Sequence, residues 1–209
     1  MGIEERKKRE KEERRELILG TARRLFFDEG FQAVPVERIA REAELAKGSI
    51  YLHFRGKEEI YTEILLRDID AFYQEIASLV SADASAESRL VRLAHVYAAL
   101  FLRDRELFRI LMNFQLYPDR QNLPEDLHRR LIVSMKKNID VVEKIFEQGV
   151  QAGEFNAGPD PFYCRNAFWG MLNGIISHYL YYAAPEEKRG DMIRATLDTG
   201  LGVFMKGMR

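Results

Sequence analysis

Apolar residues recur every three or four positions along almost the whole chain, the spacing that places them on one face of an α-helix. Strict alternation of apolar and polar residues, the pattern of a half-buried strand, is absent. The helical pattern breaks at glycine and proline, notably at Gly30, Pro35 and Gly56. The sequence therefore predicts an all-α protein, with later helices at residues 57–80, 87–103, 105–114, 124–153, 159–183 and 186–207.

The first helix is predicted to start in a charged run. Residues 4–16 are Glu, Lys and Arg, and several opposite charges lie four positions apart, which stabilises an exposed helix. An apolar stripe follows, formed by Ile18, Ala22, Leu25 and Phe26. We expect the run to extend this helix toward solvent or DNA, and Gly30 to end it as a left-handed cap.

Two short helices joined by a tight turn are predicted between Val36 and Lys57. The first buries Val36, Ile39, Ala40 and Ala43, and the apolar set continues through Leu45, Ile50 and Phe54. No acidic residue occurs from Ala46 to Lys57, whereas Lys47, Arg55 and Lys57 are basic. A helix-turn-helix of this kind places its second helix in the major groove of DNA.

Composition restricts the function classes further. The 209 residues carry 32 basic and 33 acidic side chains, so any attraction for nucleic acid must be local. The one cysteine, Cys164, excludes an internal disulfide framework and suits a reducing cytoplasm. No apolar run reaches the length of a membrane span, and the charged start is unlike a signal peptide. We therefore expect a cytoplasmic protein without a membrane partner.

Residues 14–66 resemble the DNA-binding domain of the TetR family of bacterial transcriptional regulators. The resemblance lies in an ordered set of short matches: Ile18–Ala22, Leu25-Phe26, Gly30-Phe31, Val36, Ile39-Ala40, Lys47–Tyr51, His53-Phe54 and Lys57-Glu58. As a set these matches are highly specific, although each alone is weak. The remainder of the chain fits the family by size and helical character.

The resemblance implies roles for seven residues of the second short helix and its neighbour: Lys47, Gly48, Ser49, Tyr51, Leu52, His53 and Lys57. Lys47, Ser49 and Leu52 are expected to help specify the operator sequence, and Gly48 to let the backbone approach DNA closely. Tyr51, His53 and Lys57 are expected to contact phosphates, which set register rather than sequence. The alternative is that these side chains are simply solvated.

Three positions depart from the family pattern. Glu44 occupies the turn position where glycine is frequent, while Val34 and Ala46 replace the usual capping Thr or Ser. A side-chain cap contributes about 1 kcal/mol to helix stability. We therefore expect this helix-turn-helix to be held by packing more than by caps.

The C-terminal part is rich in large, adaptable apolar side chains, which suit a shape-tolerant ligand pocket. The candidate ligand-binding residues are Tyr97, Phe101, Phe108, Met112, Met135, Phe168, Met171, Asn173, His178 and Tyr179. Few are charged, so a small, neutral or lipid-like effector is expected. The alternative is that each of these residues belongs to the core.

The helix predicted at 159–183 is apolar on nearly all sides and must be covered on all sides. In TetR-like proteins the last two helices of each subunit form a four-helix dimer interface. The candidate interface residues are Gly170, Gly174, Leu197, Gly200, Leu201 and Phe204. Ordinary packing within one chain is the alternative for the glycine pair.

Candidate catalytic and metal sites are weak. The 4 histidines are scattered without metal-ligand spacing, and neither a phosphate-binding glycine loop nor a nucleophile elbow occurs. We predict no catalytic residues, no metal and no cofactor. The expected protein is a homodimeric repressor with a DNA-binding domain at residues 1–56, including the charged extension 1–16, and an effector-binding and dimerisation domain at residues 57–209.

The expected partners are a duplex DNA operator, palindromic because the protein is dimeric, and a small effector. Helix four, at about residues 57–80, would connect the two domains. The alternative function is a helical dimer that binds small molecules or proteins and carries a non-functional DNA-binding head.

Overall fold

A computed structural model describes residues 2–116, 124–181 and 185–209. These residues form α-helices and one short 3₁₀ helix, without strands, which confirms the all-α prediction. The α-helices are α1 (Ile3–Glu29), α2 (Val36–Glu42), α3 (Lys47–Tyr51), α4 (Lys57–Ala77), α5 (Ala86–Arg103), α6 (Arg105–Leu116), α7 (Glu125–Gln151), α8 (Pro161–Tyr181) and α9 (Glu186–Met208). Residues 182 and 183 of the helix predicted at 159–183 lie outside the described residues.

The described chain divides into two compact units. The first unit comprises Met1–Asp68 and Glu106–Ile132, and the second comprises Ile69–Arg105 and Val133–Arg209. The divisions fall inside α4 and α7 and at the start of α6, so helices are shared between the units. The functional boundary expected between residues 56 and 57 remains a prediction.

The core of the first unit contains the residues that the apolar spacing predicted. Ile18, Ala22, Leu25 and Phe26 of α1 are buried together with Val36, Ile39, Ala40, Ile50, Phe54, Ile60 and Ile64. Phe31 and Tyr61 pack against this cluster, and the centroids of their rings are 4.7 Å apart. This packing holds the helix-turn-helix together by apolar burial.

The ends of the short helices lack side-chain caps, as expected. Pro35 is the N-cap residue of α2, and Ala46 is the N-cap of α3. At the end of α1, Gly30 has the positive φ expected of a cap (81°), but its ψ of 151° is extended rather than left-handed helical. Glycine accepts this conformation because it has no Cβ.

In the second unit, α5, α8 and α9 pack on one another. Their buried side chains include Leu90, Leu93, Leu172, Ile176 and Leu197. The guanidinium of Arg89 is also buried, where it donates to the carbonyl oxygen of Val80 (2.9 Å) and to Oε1 of Gln148 (2.6 Å). None of the helices in the described residues combines the length and apolar composition needed to cross a lipid bilayer.

Candidate nucleic-acid interface and effector site

The turn between α2 and α3 closes through backbone hydrogen bonds. The amide of Leu45 donates to the carbonyl of Ala40 (2.9 Å), and the amide of Glu44 donates to the carbonyl of Arg41 (3.1 Å). This pair of bonds is a Schellman motif, in which the residue at Glu44 must be left-handed. Glu44 accordingly has a φ of 55°, and no other non-glycine residue among those described has a positive φ. Its Cβ makes that conformation unfavourable.

Replacing Glu44 by glycine should stabilise the first unit. A left-handed conformation costs a residue with a Cβ about 1–2 kcal/mol, and glycine avoids most of this cost. We expect Glu44→Gly to raise the free energy of unfolding by about 1 kcal/mol in urea denaturation. Glu44→Gln is the control, since it removes the charge and keeps the Cβ. An equal gain in both variants would assign the effect to charge instead of strain.

One face of α3 is buried in the first unit, and the opposite face is exposed to solvent. Ile50 and Phe54 are buried in the first unit, while Tyr51 and Leu52 project outward, Leu52 with 76% of its surface exposed. Gly48 is also exposed, and a Cβ built on it would meet no atom within 4 Å. The exposed Leu52 is suited to apolar contact with a thymine methyl, and the exposed backbone at Gly48 is suited to close approach by DNA.

Lys47 is held by an acidic neighbour on α2. Its Nζ lies 2.6 Å from Oε1 of Glu37, and both side chains are largely exposed. The hydrogen bond and the opposite charge raise the pKa of Lys47 and lower the pKa of Glu37. The same Nζ lies 5.8 Å from the centre of the Tyr51 ring. A DNA base or phosphate that takes Lys47 must therefore compete with Glu37.

Removing that competitor should tighten DNA binding. Glu37→Gln deletes the carboxylate that occupies Lys47 and that would repel nearby phosphates. We expect a severalfold lower dissociation constant for duplex DNA, measured by fluorescence anisotropy at fixed salt. Glu29→Gln is the matched control, because Glu29 pairs with Arg38 (3.5 Å) instead of a residue of α3. Equal gains from both substitutions would show that only net charge had changed.

Lys57 has a structural contact that sequence reasoning missed. Its Nζ donates to the carbonyl oxygens of Phe31 (3.1 Å) and Gln32 (3.4 Å), and it lies 4.5 Å from the centre of the Phe31 ring. Two of its three N–H groups are thus directed to the segment between α1 and α2. The phosphate contact expected of Lys57 remains a prediction, and an alanine there would also remove these bonds.

His53 lies two residues after the end of α3 and faces the charged extension of α1. Burial, followed by the positive charges of Lys11, Arg14 and Arg15, lowers the pKa of His53, and Glu12 opposes this. Its Nδ1 is buried without a hydrogen-bond partner in the described residues. Leu52 and His53 line an open groove together with Lys7, Glu10, Lys11 and Arg14. The sequence signal for this groove was the spacing of Lys7, Lys11 and Arg14, in a run that we expected to extend the first helix toward solvent or DNA.

The residues predicted to bind a ligand do not all lie in one compact unit. Phe108 is buried and Met112 half-buried on α6, in the first unit. In the second unit Phe101 and Phe168 are fully buried, Met135, Met171, Asn173 and Tyr179 are half-buried, and His178 is exposed. Phe101 and Phe168 thus lie in the core, and the ligand-binding role of these residues remains a prediction.

A polar group lies inside the apolar part of the second unit. Tyr97 is buried, and its hydroxyl donates to Oδ1 of Asn173 (2.6 Å). Burial raises the pKa of Tyr97 well above its usual value, so this phenol stays protonated. The ring of Trp169 packs edge-on against Tyr97, with centroids 4.8 Å apart. Sequence reasoning left Trp169 out, yet its buried Nε1 lacks a hydrogen-bond partner within the described residues.

The predicted interface residues fall into two sets. Leu197 and Leu201 are buried within one chain, and a Cβ on Gly200 would come within 3.2 Å of Sδ of Met171. Phe204 packs on Phe168, with centroids 6.1 Å apart. These four residues therefore contribute to packing within one chain, and their expected role at a subunit interface remains a prediction. Gly170 and Gly174 are instead exposed on α8, and a Cβ on either would meet nothing within 4 Å.

Two family models match this sequence. A model described as bacterial regulatory proteins of the tetR family matches residues 18–64. A second model, described as a tetracyclin repressor-like C-terminal domain, matches residues 83–179. The two matches together span well over half of the chain.

Known proteins of similar sequence carry names of regulators. The fatty acid metabolism regulator protein of Bacillus subtilis (strain 168) is 23% identical over 163 residues, which cover 78% of this chain and 81% of that protein. The HTH-type transcriptional regulator HbdR of Aromatoleum sp. (strain CIB) is 30% identical over 130 residues, 61% of this chain and 57% of that protein.

Solved structures share the fold. The transcriptional regulator FadR from Bacillus subtilis, crystallised in complex with stearoyl-CoA, superposes with a TM-score of 0.72 at 21% identity and covers 92% of this chain and 98% of its own. The fatty acid degradation regulator FadR from Bacillus halodurans has a TM-score of 0.72 at 19% identity, covering 94% and 96%. At these identities the likeness concerns the fold alone.

Proposed function

Because the chain belongs to the TetR family of bacterial transcriptional regulators, we propose that it acts in the cytoplasm as a homodimeric repressor. In this proposal it binds a palindromic operator and is released when a hydrophobic effector binds its second unit. It works by binding, without catalysis. The observation that carries the proposal is the open face of α3, where Gly48, Tyr51 and Leu52 are exposed while Ile50 anchors the helix.

The chemistry of that face supports DNA as the partner. Lys47 and Ser49 offer polar contacts to base edges, and Leu52 offers an apolar contact. Tyr51 and His53 lie beside them and are suited to phosphates. In a dimer, two such helices would reach two half-sites about 34–36 Å apart, or a multiple of that distance.

The exposed glycines of α8 support the dimer. Gly170 and Gly174 lie one turn apart, and the space beside both is open in a single chain. Phe162 and Tyr163 at the start of the same helix are also exposed. A second copy of α8 could approach closely at the glycines and cover these apolar rings.

The aromatic interior of the second unit supports a lipid-like effector with one polar end. Tyr97, Asn173 and Trp169 form a polar group within an apolar surrounding, and Nε1 of Trp169 is a free donor among the described residues. A thioester or ester carbonyl is an acceptor that this donor can bind. The complex of Bacillus subtilis FadR with stearoyl-CoA makes a long-chain acyl thioester the first effector to test.

The test is a selection of bound sequences from a random duplex pool, followed by release. We expect a palindromic consensus that binds roughly 10³-fold or more tightly than random DNA. Stearoyl-CoA should release this duplex, whereas free CoA should not. A folded dimer that enriches no sequence would overturn the repressor and leave the alternative of a small-molecule-binding or protein-binding dimer with a non-functional head.

Trp169 offers a direct test of the effector site. Trp169→Phe keeps an aromatic ring and removes the unpartnered donor, so folding and operator affinity should be unchanged. We expect the stearoyl-CoA concentration for half-release to rise about tenfold, the equivalent of one buried hydrogen bond. Tyr163→Phe, which removes an exposed hydroxyl from the same helix, is the control. An unchanged release curve for Trp169→Phe would exclude this donor from the effector site.

A further inference from the structure

The charged extension of α1 and the end of the recognition helix α3 enclose an open groove of about 390 Å³. Its walls are Lys7, Glu10, Lys11 and Arg14 on one side and Leu52 and His53 on the other. Lys7, Lys11 and Arg14 are spaced by four and three residues, which places all three on one face of the helix. The groove therefore joins a row of cations to two residues already expected at the DNA.

The groove is positively charged and its cations are available. Within the described part of the chain, Lys7, Lys11 and Arg14 have neither an ion-pair nor a hydrogen-bond partner. The one carboxylate among the lining residues, Glu10, lies 3.3 Å from Nε of Arg6, outside the groove. Burial is the main cause of the lowered pKa of His53, and the positive charges of Lys11, Arg14 and Arg15 add to it. An anion would relieve this accumulation of like charge.

The extension is held in place beside α3. The Arg15 guanidinium lies 4.6 Å from the centre of the buried Phe54 ring, and its Nη2 lies 3.0 Å from Oε2 of Glu63. One turn later on the same surface, both Nη atoms of Arg67 donate to the carboxylate of Glu16 at 2.5 Å. These contacts hold α1 against α4 immediately after the groove, so the groove's cations lie on a helix that is fixed in position.

We propose that this groove binds backbone phosphates of duplex DNA beside the sequence contacted by α3. The inference rests on the proposed DNA-binding function and extends it to the α1 extension, which would lengthen the contact beyond each half-site. From Lys7 to Arg14 the helix rises roughly 10 Å, so this row of cations can contact neighbouring phosphates of one strand.

The double substitution Lys7→Gln/Lys11→Gln tests the groove. Lys8→Gln/Arg9→Gln is the matched control, because it removes two positive charges from the same helix outside the groove. Each protein is titrated with two duplexes at several salt concentrations: the selected operator alone, and the operator with about five flanking base pairs on each side.

On the longer duplex, we expect Lys7→Gln/Lys11→Gln to reduce the slope of log affinity against log salt by about 2 for each half-site. Its affinity at about 0.1 M salt should fall about tenfold or more, while the control should bind as the parent does. On the short duplex, all three proteins should bind alike. An unchanged slope, or equal losses in both double variants, would overturn the groove assignment.

The source of the phosphate and the underlying function are tested separately. Inorganic phosphate, added at the salt concentrations used above, should leave the imidazole NMR signals of His53 unshifted, whereas duplex should shift them. Equal shifts with inorganic phosphate at those concentrations would identify a small-anion site and overturn the proposal for DNA. A parent protein that prefers no sequence would overturn the repressor alone, since the slope on random duplex still tests the groove.

Discussion

Gly48→Ala should weaken operator binding tenfold or more in a protein that folds at least as well as the parent. The structure leaves open space around a Cβ at this position, so no clash with the chain opposes the substitution. Alanine in a helix is favoured over glycine by roughly 0.5–1 kcal/mol, so the free energy of unfolding should rise slightly. Operator affinity should fall tenfold or more, about 1.4 kcal/mol, because the methyl group would stand where the backbone approaches DNA.

Gly20→Ala is the control for that experiment. Gly20 lies exposed on α1 and a Cβ there also meets nothing within 4 Å, so the stability gain should be similar. Operator affinity should stay at the parent value. The measurements are urea denaturation and anisotropy with the selected operator. If Gly48→Ala bound the operator as tightly as Gly20→Ala does, close approach of DNA at α3 would be disproved.

Gly174→Leu should separate the subunits and, with them, the two recognition helices. The space beside Gly174 is open in one chain, so leucine does not disturb the fold of the monomer. Two helices that meet at small residues cross more closely than the usual separation of about 8–10 Å, and a leucine would hold them apart. We expect a monomer by light scattering at micromolar concentration, with unchanged helical circular dichroism and loss of cooperative operator binding.

Gly20→Leu supplies the comparison, since it adds the same side chain to an open helical position in the first unit. It should remain dimeric. A Gly174→Leu variant that is still dimeric at the lowest measurable concentration would place the subunit interface elsewhere than on this face of α8. A variant that loses its helical signal would instead be tested as Gly174→Ser, which is small enough to keep the monomer folded and should weaken dimerisation less.

The local pattern was enough to predict the helices and the core of the first unit. Ile18, Ile39 and Ile50 each belong to a set of apolar residues at helical spacing, and all three are fully buried. Helix ends were also predictable where a special residue marks them, as at Gly30. These properties depend on neighbours along the chain, which a sequence displays directly.

Partners distant in sequence were not predictable in the same way. The contact of Lys57 with the carbonyls of Phe31 and Gln32 joins residues about 25 positions apart. The pair of Lys47 with Glu37 crosses the turn between two helices. A lysine has the same side chain whether it binds a carbonyl, a carboxylate or a phosphate, so only the folded geometry shows which acceptor is near.

In the second unit, the sequence likewise did not identify the packing partners of apolar residues. Leu197 and Gly174 both appeared suited to a subunit interface, yet Leu197 is buried in its own chain and Gly174 is exposed. Apolar spacing shows that a helix face must be covered, but not which helix covers it. Trp169 was overlooked because its unpartnered donor becomes visible only once Tyr97 and Asn173 are placed beside it.

By itself, the sequence determined the all-α class, the helix-turn-helix and the family, because helical periodicity and an ordered motif are local properties. The tertiary structure alone decided which charges are paired and which remain available. Lys47 is occupied by Glu37, whereas Lys7 and Lys11 face a groove beside His53. That difference arises from the packing of α1 against the helix-turn-helix, where residues some 40 positions apart in sequence come together.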